Sequence, residues 1–216
     1  EDSSAVLNGF TITNGSGITW DSSELTGGGI YCYQSSPSLF NLKIINNNAG
    51  KGAGMYLRST PASSNLYVGN LEISNNSATH NGGGMLVNGS IHLTNAKVIN
   101  NTSGWEGGGI HCSSNNRGFY FELLLVSNNT SQAAGGGISC QYGDPIFSNT
   151  TITNNLTYGS QGSGGGIFCN EYAEVSLVNS IIWGNYPQQI DLGYSSNPNT
   201  LIVSFSDVQG DSAGVS

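Results

Sequence analysis

Aliphatic residues recur along the chain in two fixed frames, and the first is locked to glycine clusters. Triplets of glycine stand at 27–29, 82–84, 107–109, 135–137 and 164–166, with Gly52-Ala53-Gly54 as a degenerate copy, so successive clusters begin 25, 30, 25, 28 and 29 residues apart. An aliphatic residue follows each cluster: Ile30, Met55, Met85, Ile110, Ile138 and Ile167. Two positions later a second apolar column reads Cys32, Leu57, Val87, Cys112, Cys140 and Cys169. The residues between the columns, Tyr31, Tyr56, Leu86, His111, Ser139 and Phe168, share nothing. Alternation with period two predicts a β-strand whose constant columns face a core and whose variable column faces out.

The second frame precedes each cluster. Paired asparagines stand at Asn46-Asn47, Asn75-Asn76, Asn100-Asn101, Asn128-Asn129 and Asn154-Asn155, and survive as Gly184-Asn185. Three residues before each second member sits an aliphatic: Ile44, Ile73, Val98, Val126, Ile152, Ile182. A further column holds Asn41, Asn70, Asn95, Asn149 and Asn179, broken only by Leu123. Stacked amides hydrogen-bond from rung to rung, and asparagine tolerates a left-handed turn. The outward column Lys43, Glu72, Lys97 places opposite charges on neighbouring strands.

One repeat of two strands and a shorter third cannot bury its apolar face alone, so the repeats must stack. The expected fold is all-β: a single-stranded, right-handed parallel β-helix of about seven rungs, roughly 30–35 Å long at the usual strand spacing. One domain spans 1–216, with a strand over Leu7–Thr13 before the first cluster and another over Leu201–Phe205 at the end. Loop insertions are expected over 14–27, around Pro61 and over 158–163.

Composition narrows the class. Charged residues make up 8% of the chain, against about a quarter in ordinary soluble domains, and 32 of the 216 residues are glycine. A net charge of -8 with five Lys plus Arg argues against nucleic acid as a partner. No apolar run is long enough to span a membrane as a helix. A start at Glu1 without a signal-like stretch reads as a mature or excised segment. All four cysteines occupy one core column, where in-register parallel side chains disfavour the disulfide torsion. They are expected to be buried thiols acting as small hydrophobes, and no metal site is expected.

The segments ISNNSATHNGGGM and VINNTSGWEGGGI resemble the repeats of chlamydial polymorphic outer membrane proteins, with Ile73, Val98 or Val126 in place of an aromatic and glycine in place of an alanine. LNGFTITNG, GGGIYC, SSPSL, NSIIWGN and SFSDVQG resemble bacterial right-handed β-helix repeats of large secreted, surface-attached chains. The resemblance covers nearly the whole chain and implies the fold, together with an extracellular or bacterial cell-surface location. It implies adhesive or glycan-binding roles only broadly, since one fold hosts many functions.

Carbohydrate-cleaving β-helices need clustered acids with a basic residue, or two carboxylates about 5–9.5 Å apart. Here Lys43, Lys51, Arg58, Lys97 and Arg117 fall in different columns, and no Asp-Asp or Gly-His-Gly motif occurs. No catalytic residue and no cofactor is expected. One edge is richer. The turns before the first four clusters carry Trp20, Asp21 and Glu24, then Lys51, then His80, then Trp105 and Glu106. A tryptophan beside a carboxylate can stack on a sugar and bond its hydroxyls; the competing reading is loop packing. The outward residues Tyr31, Tyr33, Tyr56, Arg58 and His111 form a weaker second candidate. The function expected is a non-catalytic surface module contacting glycans or other cell-surface components. A carbohydrate-active enzyme or its binding domain and a purely structural spacer are the alternatives. Open ends also lead us to expect end-to-end self-association.

Overall fold

The computed structural model describes residues 5–19, 24–58, 66–113, 118–159, 163–193 and 199–210. Its strands form three parallel sheets that stack as a β-solenoid. The longest sheet piles Val6–Asn8, Ser38–Ile45, Leu66–Ser74, Ile91–Ile99, Gly118–Ser127, Asp144–Ser148, Glu174–Val178 and Thr200–Ser204 in that order. A second sheet holds, among the described residues, the six strands that follow the glycine clusters, from Ile30–Tyr33 to Ile167–Asn170, and then Ile190–Asp191, which follows no cluster. The expected short third strand is present as Asn48–Ala49, Ser77–Ala78, Thr102–Ser103, Thr130–Ser131 and Leu156–Thr157.

Register follows the sequence columns. Ile30 pairs with Met55, Met55 with Met85, and Ile110 with both Met85 and Ile138. Beside this column Cys112 pairs with Cys140 and Cys140 with Cys169, and all four cysteines are buried free thiols. The two strand ends shift slightly from expectation. The first rung breaks into Val6–Asn8 and Thr11–Thr13, and the last long strand is Thr200–Ser204. Gly9 and Phe205 terminate these pieces with positive φ, 81° and 52°.

The two asparagine columns do different work. First members of the pairs, with φ of 54–57° from Asn46 to Asn154, turn the chain. Second members point into the core and form a ladder. Asn47 Nδ2 donates to Asn76 Oδ1 at 3.0 Å, Asn76 to Asn101 at 2.9 Å, Asn101 to Asn129 at 3.0 Å, Asn129 to Asn155 and Asn155 to Asn185 at 2.9 Å. The same Nδ2 of each ladder residue also bonds a backbone carbonyl of the preceding rung, as Asn129 does to Val98 O at 2.8 Å. Buried amides are therefore satisfied along the rod, which removes the cost of burying them. The outer column, from Asn41 to Asn179, also lies at positive φ. One left-handed residue resets the alternation: Leu39 and Leu42 are both buried while Phe40 and Asn41 both lie outside the core. Lys43 and Glu72 pair at 3.4 Å as expected, and Lys97 is in register with Glu72.

One expectation fails. The column between the two core columns was expected to face solvent, yet Leu86, His111 and Ser139 are 7%, 3% and 0% exposed. The glycine turn curls back over them. Gly107 has φ +65°, and a Cβ there would lie 2.5 Å from Ile110 O and 2.8 Å from His111 Cβ. Only glycine allows so tight a fold-back. Side chains from the turn then cover the column, which makes it a second, polar layer.

Candidate functional site

The turns before the clusters stack as one file. His80 N bonds Gly50 O at 2.8 Å, Trp105 N bonds His80 O at 3.1 Å and Ala133 N bonds Trp105 O at 2.9 Å. Thr26 bridges Lys51, and Glu106 bridges Ala134, both in parallel. Rung-to-rung pairing of this kind carries the candidate residues of separate repeats onto one corner of the rod.

Glu24, Lys51 and His80 come together there. Lys51 Nζ lies 2.6 Å from Glu24 Oε2, and His80 Nε2 lies 3.4 Å from Glu24 Oε1. The Lys51 hydrogen bond holds the Glu24 carboxyl below the usual carboxylate range. Beside them is a depression of about 400 Å³ bounded by Ser16, Glu24, Leu25, Asn48, Thr79 and His80. Trp105 stands on the next rung, 56% exposed. Trp20 and Asp21 lie outside the described residues.

Glu106 joins a different group. Its Oε2 accepts hydrogen bonds from Ser139 Oγ at 3.2 Å and Gln141 Nε2 at 2.9 Å, and lies 3.7 Å from His111 Nδ1. His111 Nε2 is 3.3 Å from Asn81 Nδ2, while its Nδ1 has no hydrogen-bond partner. Burial pushes the Glu106 carboxyl up, against the pull of its two donors. Burial, helped by the positive charge of Lys51, pushes His111 down to about 4, so the ring is neutral.

Sequence reasoning missed Asn81, Ser139 and Gln141. Asn81 stands directly before its cluster, as Lys51 and Glu106 do. Ser139 and Gln141 belong to the strand after the next cluster, in the column read as solvent-facing. The weaker strand-face candidate splits likewise. Tyr31 and Tyr56 stack at 5.3 Å and the Arg58 guanidinium lies 5.1 Å from the Tyr33 ring centre, but His111 is buried.

Chemically the corner offers a flat aromatic surface, an ion pair, an imidazole and hydroxyl and amide groups beside a shallow space. Glu24 is engaged by Lys51 and His80, whereas Glu106 is engaged by Ser139 and Gln141. The two carboxylates thus have different hydrogen-bond and ion-pair partners. Among the described residues no group of three or more His, Cys, Asp or Glu is placed to hold a metal. No helix is long and apolar enough to cross a membrane.

Residues 124–141 match the Chlamydia polymorphic membrane protein repeat. The matched stretch runs from Leu124 through Asn128-Asn129 and the 135–137 cluster to Gln141, which is most of one rung. Comparison with curated proteins and with solved structures gives no match. The chain is a parallel β-solenoid whose repeat is similar to that of the polymorphic membrane proteins.

Proposed function

We propose that a solenoid bearing this repeat is a module of a bacterial outer-membrane-associated or secreted surface protein, and that its corner holds glycan without cleaving it. The surface location is supported by the repeat match at 124–141, whose family is named for membrane proteins. The observation that carries the glycan reading is Trp105, 56% exposed on the rung next to the Glu24–Lys51–His80 cluster and its depression. An exposed indole contributes a stacking face, and the ionic cluster contributes donors and acceptors for sugar hydroxyls.

A glycan array probed with the whole chain tests this. Binding that falls at least tenfold in Trp105→Ala, with the thermal transition unchanged, is the expected result. Absence of binding on a broad array leaves the rod as a spacer, and binding unaffected by Trp105→Ala overturns the assignment of glycan to this corner. The same reading includes weak end-to-end association, because the last described rung exposes Ile202, Val203 and Phe205 and the first exposes Val6 and Phe10. Concentration-dependent growth in sedimentation is its signature, and a single species at all concentrations contradicts it.

A further inference from the structure

A second surface, away from the corner, carries its own repeating chemistry. On the outer bend of the long sheet, Asn41 Nδ2 donates to Asn8 Oδ1 at 2.8 Å, Asn70 to Asn41 at 3.0 Å and Asn95 to Asn70 at 2.7 Å. Unlike the core ladder, these amides are exposed. A carboxamide has two N–H donors and two acceptor lone pairs. The ladder consumes one of each at Asn41 and Asn70 and a single one at each end, so every rung presents at least one spare donor and one spare acceptor at the same place. The repeat along the rod is about 4.8 Å.

Asn41, Asn70 and Asn95 line a depression of about 360 Å³ together with Lys43, Glu72 and Lys97. That size is within the range of ligand clefts. On one side Phe40, Gly69 and Thr94 stand in register, one residue before each asparagine. On the other, Glu72 stands in register between Lys43 and Lys97. Donors and acceptors of fixed period, running straight along the rod, fit a ligand that is itself an extended polymer of hydroxyl-bearing units. A pyranose in an extended chain advances it by about one rung spacing.

We infer that this amide-lined groove binds an extended, neutral linear polysaccharide lying parallel to the rod axis, with one sugar per rung. Charge selects a neutral chain. The molecule carries a net charge of -8, so a polyanion is repelled at long range. In the groove Glu72 pairs with Lys43 and stands in register with Lys97, which leaves one excess positive charge and no cation for an anionic sugar on every rung. A free monosaccharide engages only one rung and gains nothing from the periodicity. This groove is independent of the corner at Trp105, and either can fail alone.

The test is calorimetry on the whole chain with β-1,4-linked oligomers of glucose and of N-acetylglucosamine, two to eight sugars long, and with a uronate oligomer series alongside. Affinity for a neutral series should climb with each sugar up to about three, the number of rungs whose asparagines line the groove, and then level off. Asn70→Asp reverses a donor at the centre of the row and should weaken the longer oligomers at least tenfold. Lys97→Ala, at an exposed position that does not touch the core, should weaken them several-fold, and the length dependence should persist in Trp105→Ala. No binding of either neutral series, affinity independent of length, tighter binding of the uronates, or loss with Trp105→Ala and not with Asn70→Asp each overturns the inference.

Discussion

Glu106 Oε2 and His111 Nδ1 lie 3.7 Å apart beneath the glycine turn, and both are held out of water. Their titrations oppose each other. His111 is neutral in the fold, with its pKa lowered to about 4, and regains a proton when unfolded. Between pH 6.5 and about 4 the unfolded chain therefore binds more protons, and stability falls as pH falls, by about 3 kcal/mol near pH 4. Denaturant midpoints across this range should flatten in His111→Leu, which copies Leu86 one rung below. Glu106 acts in the other direction: its raised pKa favours the protonated fold, so stability is lost as pH rises through that value. Glu106→Gln should accordingly stabilise the protein at neutral pH, with the gain disappearing in acid.

Neighbouring asparagines should respond very differently to the same change. Asn128 supplies only a left-handed residue, φ 55°, and Asn128→Ala should cost about 1 kcal/mol. Asn129 accepts from the backbone and side chain of Asn101 and donates to Val98 O and Asn155 Oδ1. Asn129→Ala strands these buried partners, and a loss of about 3–5 kcal/mol is expected. Urea titration of both variants measures the contrast; equal losses would contradict the ladder.

Leu123 occupies the outer asparagine column at φ 55° and is 54% exposed. A leucine there bears the left-handed penalty without contributing an amide or a buried surface. Leu123→Asn should stabilise the chain by about 1 kcal/mol, seen as a higher thermal midpoint.

The cysteine column should be chemically silent in the fold. Burial holds the Cys112 thiol well above its usual range. Although hydrogen bonds from Cys112 and Cys169 pull Cys140 down, all four cysteines are buried, and a buried thiol reacts slowly. Thiol reagents should label the cysteines only on unfolding, and Cys112→Val, which copies Val87 beneath it, should be nearly neutral in stability.

Much of the architecture was legible because each sequence column has one physical job. Apolar columns face the core, and asparagine recurs where the chain needs a left-handed turn or a stacked amide. Leu123 and Phe205 show the limit: both take the left-handed conformation at positions where their own types argue against it, because their neighbours in the stack fix the backbone. The polar layer of Asn81, His111, Glu106, Ser139 and Gln141 was hidden for another reason. Period-two alternation separates inside from outside of a strand, but it carries no information about a turn that folds back over the outer face. The cap on the core ladder was equally hidden. Asn185 donates to Gln189 Oε1 at 2.9 Å, where a residue of a different type, only four positions away, replaces the next asparagine.

The central claim is that the corner at Trp105 holds glycan and leaves it intact. Its most direct test is to incubate the whole chain with the glycan it captures, then measure both the bound fraction and the length of the recovered glycan by mass spectrometry. The account predicts capture that depends on Trp105 and recovery at the original length. Shortened glycan, with the shortening abolished by Glu106→Gln, would contradict it.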